Sequence, residues 1–241
     1  MNLKKCMFLE NRCYTSKEPI QQFAGIVVHS TGCNNPNICR YVQPSESDPN
    51  YNTIIDDIGK NRYSNDWNNP TASKAVHAFI GKNSKGVVET YQTLPFDICA
   101  WGVGKGKKGS YNYNPTAHIQ FEICEDNLKD EAYFNAIYKE ATEFCAYLCK
   151  MYGISPDQIC SHKEAYTRGY ASNHGDPDHW FKIYGKTMND FRADVQKIIT
   201  PQVLYKVQIG AFRNIDYAKA RLEEAKKAGF TDAYITKVNI D

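Results

Sequence analysis

The hydrophobic pattern of this chain changes period along its length, and this change limits the folds that the chain can adopt. Residues 23–28 form a short β-branched apolar run of the kind that makes a buried strand. Between residues 130 and 152 the apolar positions recur every three or four residues, which predicts an amphipathic helix. Alternating strands and helices are typical of an α/β fold, so we expect a mixed central sheet flanked by helices.

Several further segments fit the same scheme. A hairpin is predicted from strands 75–80 and 87–92 with a turn at 81–86, followed by strands at 117–124 and 158–160 and a helix at 188–199. Between residues 34 and 69 the chain is rich in Asn, Asp, Pro and Ser. Loops of that length in a compact domain are usually functional or mobile.

The last part of the chain reads as a separate, smaller piece. Residues 200–203 look like a linker between the domain at 1–199 and a segment at 204–241. Within that segment the pattern predicts a strand at 204–210, a helix at 215–228 and a strand at 233–238. We therefore expect a small C-terminal βαβ segment, which is short for independent stability.

Charge and hydropathy exclude some classes of function. The net charge of the 241-residue chain is only +2, which argues against nucleic-acid binding through a general positive field. No run approaches the roughly 18 apolar residues that a membrane span needs. The first ten residues lack an apolar run of signal-peptide length, so synthesis in the cytoplasm without an export signal is expected.

The chain contains nine cysteines, none of them in a Cys-x-x-Cys pair. An odd number of cysteines without an export signal predicts reduced thiols. The sequence therefore offers no zinc site made of cysteines.

The histidines suggest a different metal site. His29 and His162 each directly follow a predicted strand, and strand ends are where α/β folds place their ligands. A catalytic zinc takes three protein ligands and keeps one position open. The segment 173–179 could supply the third ligand, and spacing alone leaves four candidates open: Asp176, Asp178, His174 and His179.

Glu122 is a lone acid in an otherwise apolar strand. Alternation places Glu122 and Gln120 on the face opposite Phe121 and Ile123. One interpretation is a solvent-facing strand residue. The other is a carboxylate of raised pKa that accepts a proton from an attacking water.

These residues together resemble the type-2 N-acetylmuramoyl-L-alanine amidases, which are related in fold to peptidoglycan recognition proteins. The resemblance covers roughly residues 1–199, and the region before the first strand is most similar to endolysins of clostridial phages or prophages. It is carried by the motifs at 26–32, 77–80, 119–124, 161–164 and 174–177.

The resemblance implies particular roles at the site. His29, His162 and Asp176 would hold Zn²⁺, and Glu122 would be the catalytic acid. His174 takes the position where the family often has a lysine that stabilises the oxyanion. Gly102 stands where the family tends to have a histidine. His77 is expected to be a core residue or to support the ligands.

The implied activity is hydrolysis of the amide bond between N-acetylmuramic acid and L-alanine in bacterial peptidoglycan, after release through a phage membrane pore. The segment at 204–241 resembles part of a SPOR domain, which binds glycan strands. Three alternatives stay open: a non-catalytic peptidoglycan-binding module, a zinc peptidase acting inside the stem peptide, and a structural role for the His/Asp cluster.

Overall fold

The computed structural model describes residues 1–201 and 207–239. The chain divides into two compact units, Met1–Thr200 and Pro201–Asp241, and each is described by itself. None of the helices in these ranges is both long and apolar enough to cross a membrane.

A six-stranded mixed sheet forms the centre of the first unit, as the sequence predicts. Its strands are β1 (Leu3–Lys5), β2 (Gly25–Ser30), β3 (Ala78–Lys82), β4 (Val88–Gln92), β5 (His118–Ile123) and β6 (Ile159–Ser161). They lie in the order β1-β4-β3-β5-β2-β6. β3 and β4 form the predicted antiparallel hairpin, and the other neighbouring strands pair in parallel.

Six helices accompany the sheet: α1 (Arg12–Ser16), α2 (Tyr51–Ile58), α3 (Glu131–Tyr152), α4 (His162–Arg168), α5 (Asp178–Ile183) and α6 (Met188–Ile199). The helices predicted at 130–152 and 188–199 are confirmed as α3 and α6. At the start of α3, the side chain of Asp130 accepts a hydrogen bond from the Tyr133 amide. Gly153 ends the helix in the left-handed conformation that glycine adopts most readily.

The two faces of the sheet have different partners. Phe121 on β5 packs edge-on against Phe144 of α3, with ring centroids 5.2 Å apart, in a core that also includes residues of α5 and α6. Burial of one such side chain contributes about 1.5–3 kcal/mol. Phe79 on the other face packs against Tyr41 and Trp67. This second face carries the polar side chains of the candidate site.

The polar stretch at 34–69 is more regular than the loop that the sequence predicts. It contains α2 and a short 3₁₀ turn at Ile38–Arg40. Side-chain amides connect it to the rest of the unit, as when Asn11 donates to the Trp67 carbonyl at 2.7 Å. The apolar residues of α2, at positions 51, 54, 55 and 58, do recur at the spacing of an amphipathic helix, but the surrounding Asn, Asp, Pro and Ser residues favoured the prediction of a loop. β1, α1, α4 and α5 were not predicted either, because each is a short element without a clear apolar period.

The C-terminal unit corrects one prediction. Helix α7 (Ile215–Lys227) is confirmed, and the side chain of Asn214 caps it by accepting a hydrogen bond from the Asp216 amide. Residues 207–210 and 233–238 do not form the predicted strands, and residues 204–206 lie outside the described ranges. Strands need partners for their backbone groups, and a short ribbon is marginal alone. Val207 and Val238 are accordingly 90% and 75% exposed.

Candidate metal and catalytic site

Two of the predicted site residues lie on neighbouring strands at the centre of the sheet. His29 on β2 and Glu122 on β5 are direct partners in the parallel register. Each lies one residue before the end of its strand. Directly paired residues of parallel strands project to the same face, so the imidazole and the carboxylate lie side by side.

His162 and Asp176 approach this pair from the next strand and from a loop. His162 begins α4 directly after β6, which pairs with β2. Ser161 and Glu164 form reciprocal capping hydrogen bonds at the start of that helix, which fix the position of its first turn. Asp176 lies just before α5, and its Oδ2 atom accepts a hydrogen bond from the Ser30 amide at 3.2 Å.

Three donor atoms converge at this point. The Nδ1 atoms of His29 and His162 are 3.0 Å apart. Asp176 Oδ2 lies 3.5 Å from His29 Nδ1, and its Oδ1 lies 3.7 Å from His162 Nδ1. All three residues are buried, and one donor atom of each lies within 4.8 Å of the others. Of the four candidates for the third position, the structure brings Asp176 to the two histidines.

The outer nitrogens of both imidazoles face hydrogen-bond acceptors. His29 Nε2 lies 3.2 Å from the amide oxygen of Gln120. His162 Nε2 lies 3.4 Å from the hydroxyl of Ser172, which itself donates to the Val103 carbonyl at 2.9 Å. A proton on each Nε2 leaves both Nδ1 lone pairs facing one another.

This arrangement fits a metal cation. Two lone pairs that face each other at 3.0 Å repel unless a cation lies beside them, and Asp176 adds a negative charge. Ligands bound at about 2.1 Å to a tetrahedral zinc lie about 3.4 Å apart. The distance of 3.0 Å between the two nitrogens, and those of 3.5 and 3.7 Å from each nitrogen to its nearer Asp176 oxygen, are close to that value. Two imidazoles with one carboxylate form a donor set of a catalytic zinc.

The charges of the three residues are coupled. Burial opposes ionisation of Asp176, yet the hydrogen bond and charge of His29 lower its pKa to about 2. Burial also disfavours a charged His29, but Asp176 and Glu122 together raise its pKa. Burial and the charge of His29 lower the pKa of His162 to about 3. At neutral pH the cluster therefore contains an ionised Asp176 beside a neutral His162.

Glu122 is buried rather than solvent-facing. Its side chain is on the face opposite Phe121 and Ile123, as the alternation predicts, but only 7% of the residue is exposed. Burial raises its pKa from the ordinary 4.5 to about 7, against the opposing effect of His29. Among the described residues, its Oε2 atom has no hydrogen-bond partner. A group with these properties can exchange a proton near neutral pH.

His174 lies at the rim of the cluster. Its imidazole stacks on that of His162, with centroids 4.5 Å apart and planes 14° from parallel. Its Nδ1 is 3.7 Å from Asp176 Oδ1, and its side chain is 60% exposed. An imidazole in this position is accessible to a ligand that enters the site.

The remaining histidines lie outside the donor cluster. His77 is fully buried, donates to the Ile98 carbonyl at 2.8 Å and accepts from the Gln120 amide at 2.9 Å. Burial lowers its pKa to about 4. His118 stacks on Tyr111 at the start of β5, away from Glu122.

A polar cluster beside the site was not predicted from the sequence. The hydroxyl of Ser30 donates to the buried carboxylate of Glu125, which also pairs with His179 Nε2 at 3.1 Å. Since His179 follows Asp176 by three residues, this contact holds the loop that carries Asp176. Glu125 lies two residues after the end of β5 and directly after the strand predicted at 117–124, so the rule that selected His29 could have found it.

The chain thus combines a mixed α/β sheet with a buried cluster of potential metal ligands at its centre. A family model described as N-acetylmuramoyl-L-alanine amidase matches residues 19–179, and a SPOR domain model matches residues 201–240. The first match covers more than half of the chain, so the chain belongs to the N-acetylmuramoyl-L-alanine amidase family. It is therefore an enzyme of the peptidoglycan amidase class.

Solved structures share the fold. Hydrolase AmiA of Staphylococcus aureus, in complex with its ligand, is 20% identical with a TM-score of 0.50, covering 82% of this chain and 82% of that chain. A mutant endolysin from Bacillus subtilis is 18% identical with a TM-score of 0.51, covering 81% and 99%. The PlyG catalytic domain is 18% identical with a TM-score of 0.51, covering 86% and 100%. No curated protein matched the chain.

Proposed function

We propose that this protein is a zinc-dependent amidase that hydrolyses the bond between N-acetylmuramic acid and L-alanine. The observation that carries the proposal is the convergence of three buried donor atoms beside Glu122 in a chain of this family. His29, His162 and Asp176 would hold the metal. A bound Zn²⁺ supplies Lewis-acid chemistry that polarises a carbonyl and lowers the pKa of water.

Glu122 would move the proton during hydrolysis. Its unpartnered Oε2 atom can accept a proton from the attacking water and then deliver it to the amine of L-alanine as the C–N bond breaks. A pKa of about 7 suits a group that must both accept and donate a proton near neutral pH. The burial that raises this pKa also keeps bulk water away from the carboxylate.

His174 would stabilise the developing negative charge on the scissile carbonyl oxygen. Its imidazole is exposed at the rim and is oriented by stacking on His162 and by the nearby carboxylate of Asp176. One such donor contributes about 3–4 kcal/mol to the transition state in well-studied hydrolases.

The domain organisation and the place of action belong to the same proposal. Residues 1–199 would form the catalytic domain, 200–203 a linker and 204–241 a partial SPOR-like segment that contacts the wall. The substrate would be the junction of glycan strand and stem peptide. Cytoplasmic synthesis followed by release through a phage pore would bring the enzyme to the cell wall.

Digestion of purified peptidoglycan tests this function. Wild-type protein with zinc is expected to release soluble stem peptides whose new amino terminus is L-alanine, while Glu122→Ala and a zinc-chelated sample release none. New amino termini at other residues would indicate a peptidase instead. Wall binding without any release would support a non-catalytic recognition module.

A further inference from the structure

We infer that Gln120 is a positioning residue that fixes the tautomer and orientation of His29, and that Gly102 and Asn112 act through it. The inference deepens the proposed function, because it concerns how the chain prepares one of the three metal donors. It rests on hydrogen bonds whose directions follow from one another. Gln120, Asn112 and His29 are all buried.

The series of hydrogen bonds begins at a backbone N–H group, which can only donate. The Val103 N–H donates to Oδ1 of Asn112 at 3.1 Å. This bond fixes which end of the Asn112 amide faces Val103. If Nδ2 stood there instead of Oδ1, two N–H donors would face each other. The inward atom of Asn112 is therefore an acceptor.

The same atom sets the orientation of the Gln120 amide. Nε2 of Gln120 lies 3.0 Å from Asn112 Oδ1, and the Ala100 and Tyr111 carbonyls lie 3.5 and 3.4 Å from it. With three acceptors around this position, the NH₂ group must point toward them. Oε1 of Gln120 then has to point toward His29.

The last step concerns the imidazole. Gln120 Oε1 is an acceptor 3.2 Å from His29 Nε2, so this nitrogen carries the proton. His29 Nδ1 therefore keeps a free lone pair with which it can bind a metal, and it is the atom that faces His162 and Asp176. The hydrogen bond from one backbone N–H thus fixes the orientation of two side-chain amides in turn, and the second amide fixes the tautomer of a candidate metal ligand.

The absence of a side chain at Gly102 leaves space for the side chain of Gln120. A Cβ atom at Gly102 would lie 2.4 Å from Gln120 Oε1 and 3.0 Å from a methyl group of Val76. The resemblance leads one to expect a histidine at this position, and such a side chain would occupy the space of the Gln120 amide. Gly102 therefore provides the room in which Gln120 reaches His29.

The main chain of Gln120 is fixed as well. Its N–H donates to His77 Nδ1 at 2.9 Å, while His77 Nε2 donates to the Ile98 carbonyl. The buried His77 thus anchors the strand from which the amide extends. This contact fixes the main chain of Gln120, while the contacts with Asn112 and His29 hold its side-chain amide.

The test compares zinc affinity in Gln120→Leu with wild type, using calorimetry on the full chain. Removing the outer partner of a ligating histidine costs about 10–100-fold in metal affinity, and we expect a loss in that range. Gln92→Leu is the matched control, since Gln92 on β4 is also buried but donates to the Leu94 carbonyl rather than contacting His29. It should bind zinc as wild type does.

Imidazole ¹⁵N NMR of the metal-free protein at alkaline pH reads the tautomer directly. Wild type should show His29 protonated at Nε2 with slow exchange, whereas Gln120→Leu should show a tautomer mixture. A merely structural role of Gln120 would lower the melting temperature without changing this spectrum. An unchanged tautomer with unchanged zinc affinity in Gln120→Leu would overturn the inference.

A double-mutant cycle keeps the test decisive if Gln120→Leu fails to fold. Gly102→Ala should weaken zinc binding in the wild-type background because its methyl group displaces the Gln120 amide. It should have no further effect when combined with Gln120→Ala, which vacates that space. Equal losses in both backgrounds would show that Gly102 acts independently of Gln120. Failure of the proposed function can be distinguished from failure of this inference. In that case wild type itself would bind no zinc or release no L-alanine termini.

Discussion

Glu122 lies directly across from His29 in the parallel register of β5 and β2, and its Oε2 atom has no hydrogen-bond partner among the described residues. The proposed proton acceptor is therefore held beside a proposed metal ligand by the sheet itself. A rigid strand pairing gives a more fixed separation than two loops would.

Glu122→Gln should slow catalysis strongly while leaving zinc binding intact. The amide has nearly the same shape but cannot accept the proton of the attacking water. General acid–base groups contribute about 10²–10⁴-fold, so kcat should fall by that factor. Steady-state release of stem peptides at equal zinc loading measures the effect. A variant with wild-type kcat would contradict the proposed role.

The same substitution should stabilise the zinc-chelated protein at alkaline pH. The folded-state pKa of Glu122 is raised from 4.5 to about 7, so the folded protein binds its proton more tightly than the unfolded chain does. That stabilising contribution is complete below the unfolded value and is lost as pH rises through the folded value. Glutamine stays neutral, so at about pH 8 the free energy of unfolding should rise by up to about 3 kcal/mol.

Chemical denaturation of the chelated protein at acidic and alkaline pH checks this sign. Glu143→Gln is the control, because the N-terminal amine and Lys139 lower the pKa of Glu143. This control should instead destabilise the protein above the unfolded-state pKa of the carboxyl. Equal unfolding free energies for Glu122→Gln and wild type at alkaline pH would argue against a buried ionised carboxylate.

His162→Ala should remove zinc from the protein. The substitution leaves two donors, and loss of even an outer hydrogen-bond partner costs about 10–100-fold in affinity, so a loss of more than roughly 100-fold is expected. Metal content after dialysis, with calorimetric titration, measures it. His118→Ala is the matched control because this buried histidine stacks on Tyr111 outside the donor cluster. Full zinc occupancy in His162→Ala would exclude it as a ligand.

His174→Ala should lower kcat without loss of zinc. Removing one donor to a developing oxyanion costs about 10²–10³-fold in kcat. His174→Lys supplies another cation at the position where the family often has lysine, so it should recover part of the rate. The comparison is made by steady-state kinetics at saturating peptidoglycan fragments. A fall in zinc content in His174→Ala would instead indicate a ligand.

The pair of His179 and Glu125 should make stability depend on pH. The hydrogen bond to Glu125 raises the pKa of His179 above its ordinary value, against the opposing effect of burial. Its stabilising contribution is therefore present below the unfolded-state pKa and is lost as pH rises through the folded-state pKa. The difference in melting temperature between wild type and His179→Ala should shrink as pH rises above the ordinary histidine pKa of about 6.5. A constant difference would contradict this.

Much of the fold could be predicted because the signals are local. A few residues suffice to show the apolar strand runs that lead to His29 and His162. The same is true of the helical period of α3. The face of Glu122 followed from alternation alone. Alternation could not decide whether Glu122 is buried. Its burial depends on distant parts of the chain that cover this face of the sheet, among them α2 and the rest of the 34–69 segment.

The choice of Asp176 among its neighbours shows a second limit. Spacing left four candidates within one short segment, and the path of the loop before α5 selects the one that reaches His29. Gln120 was recognised only as sharing a face with Glu122. Its contact with His29 depends on the empty space at Gly102, which is a property of two distant segments rather than of either motif. The functional roles of these residues stay predictions.

The most direct test of the amidase function measures L-alanine amino termini released from purified peptidoglycan by wild type and Glu122→Gln, each loaded with one equivalent of zinc. Wild type should release them steadily, the variant should release them about 10²–10⁴-fold more slowly, and the metal content of both should be equal. Equal release by the two proteins would contradict the role of Glu122. Absence of new L-alanine termini with zinc-loaded wild type would contradict the amidase mechanism itself.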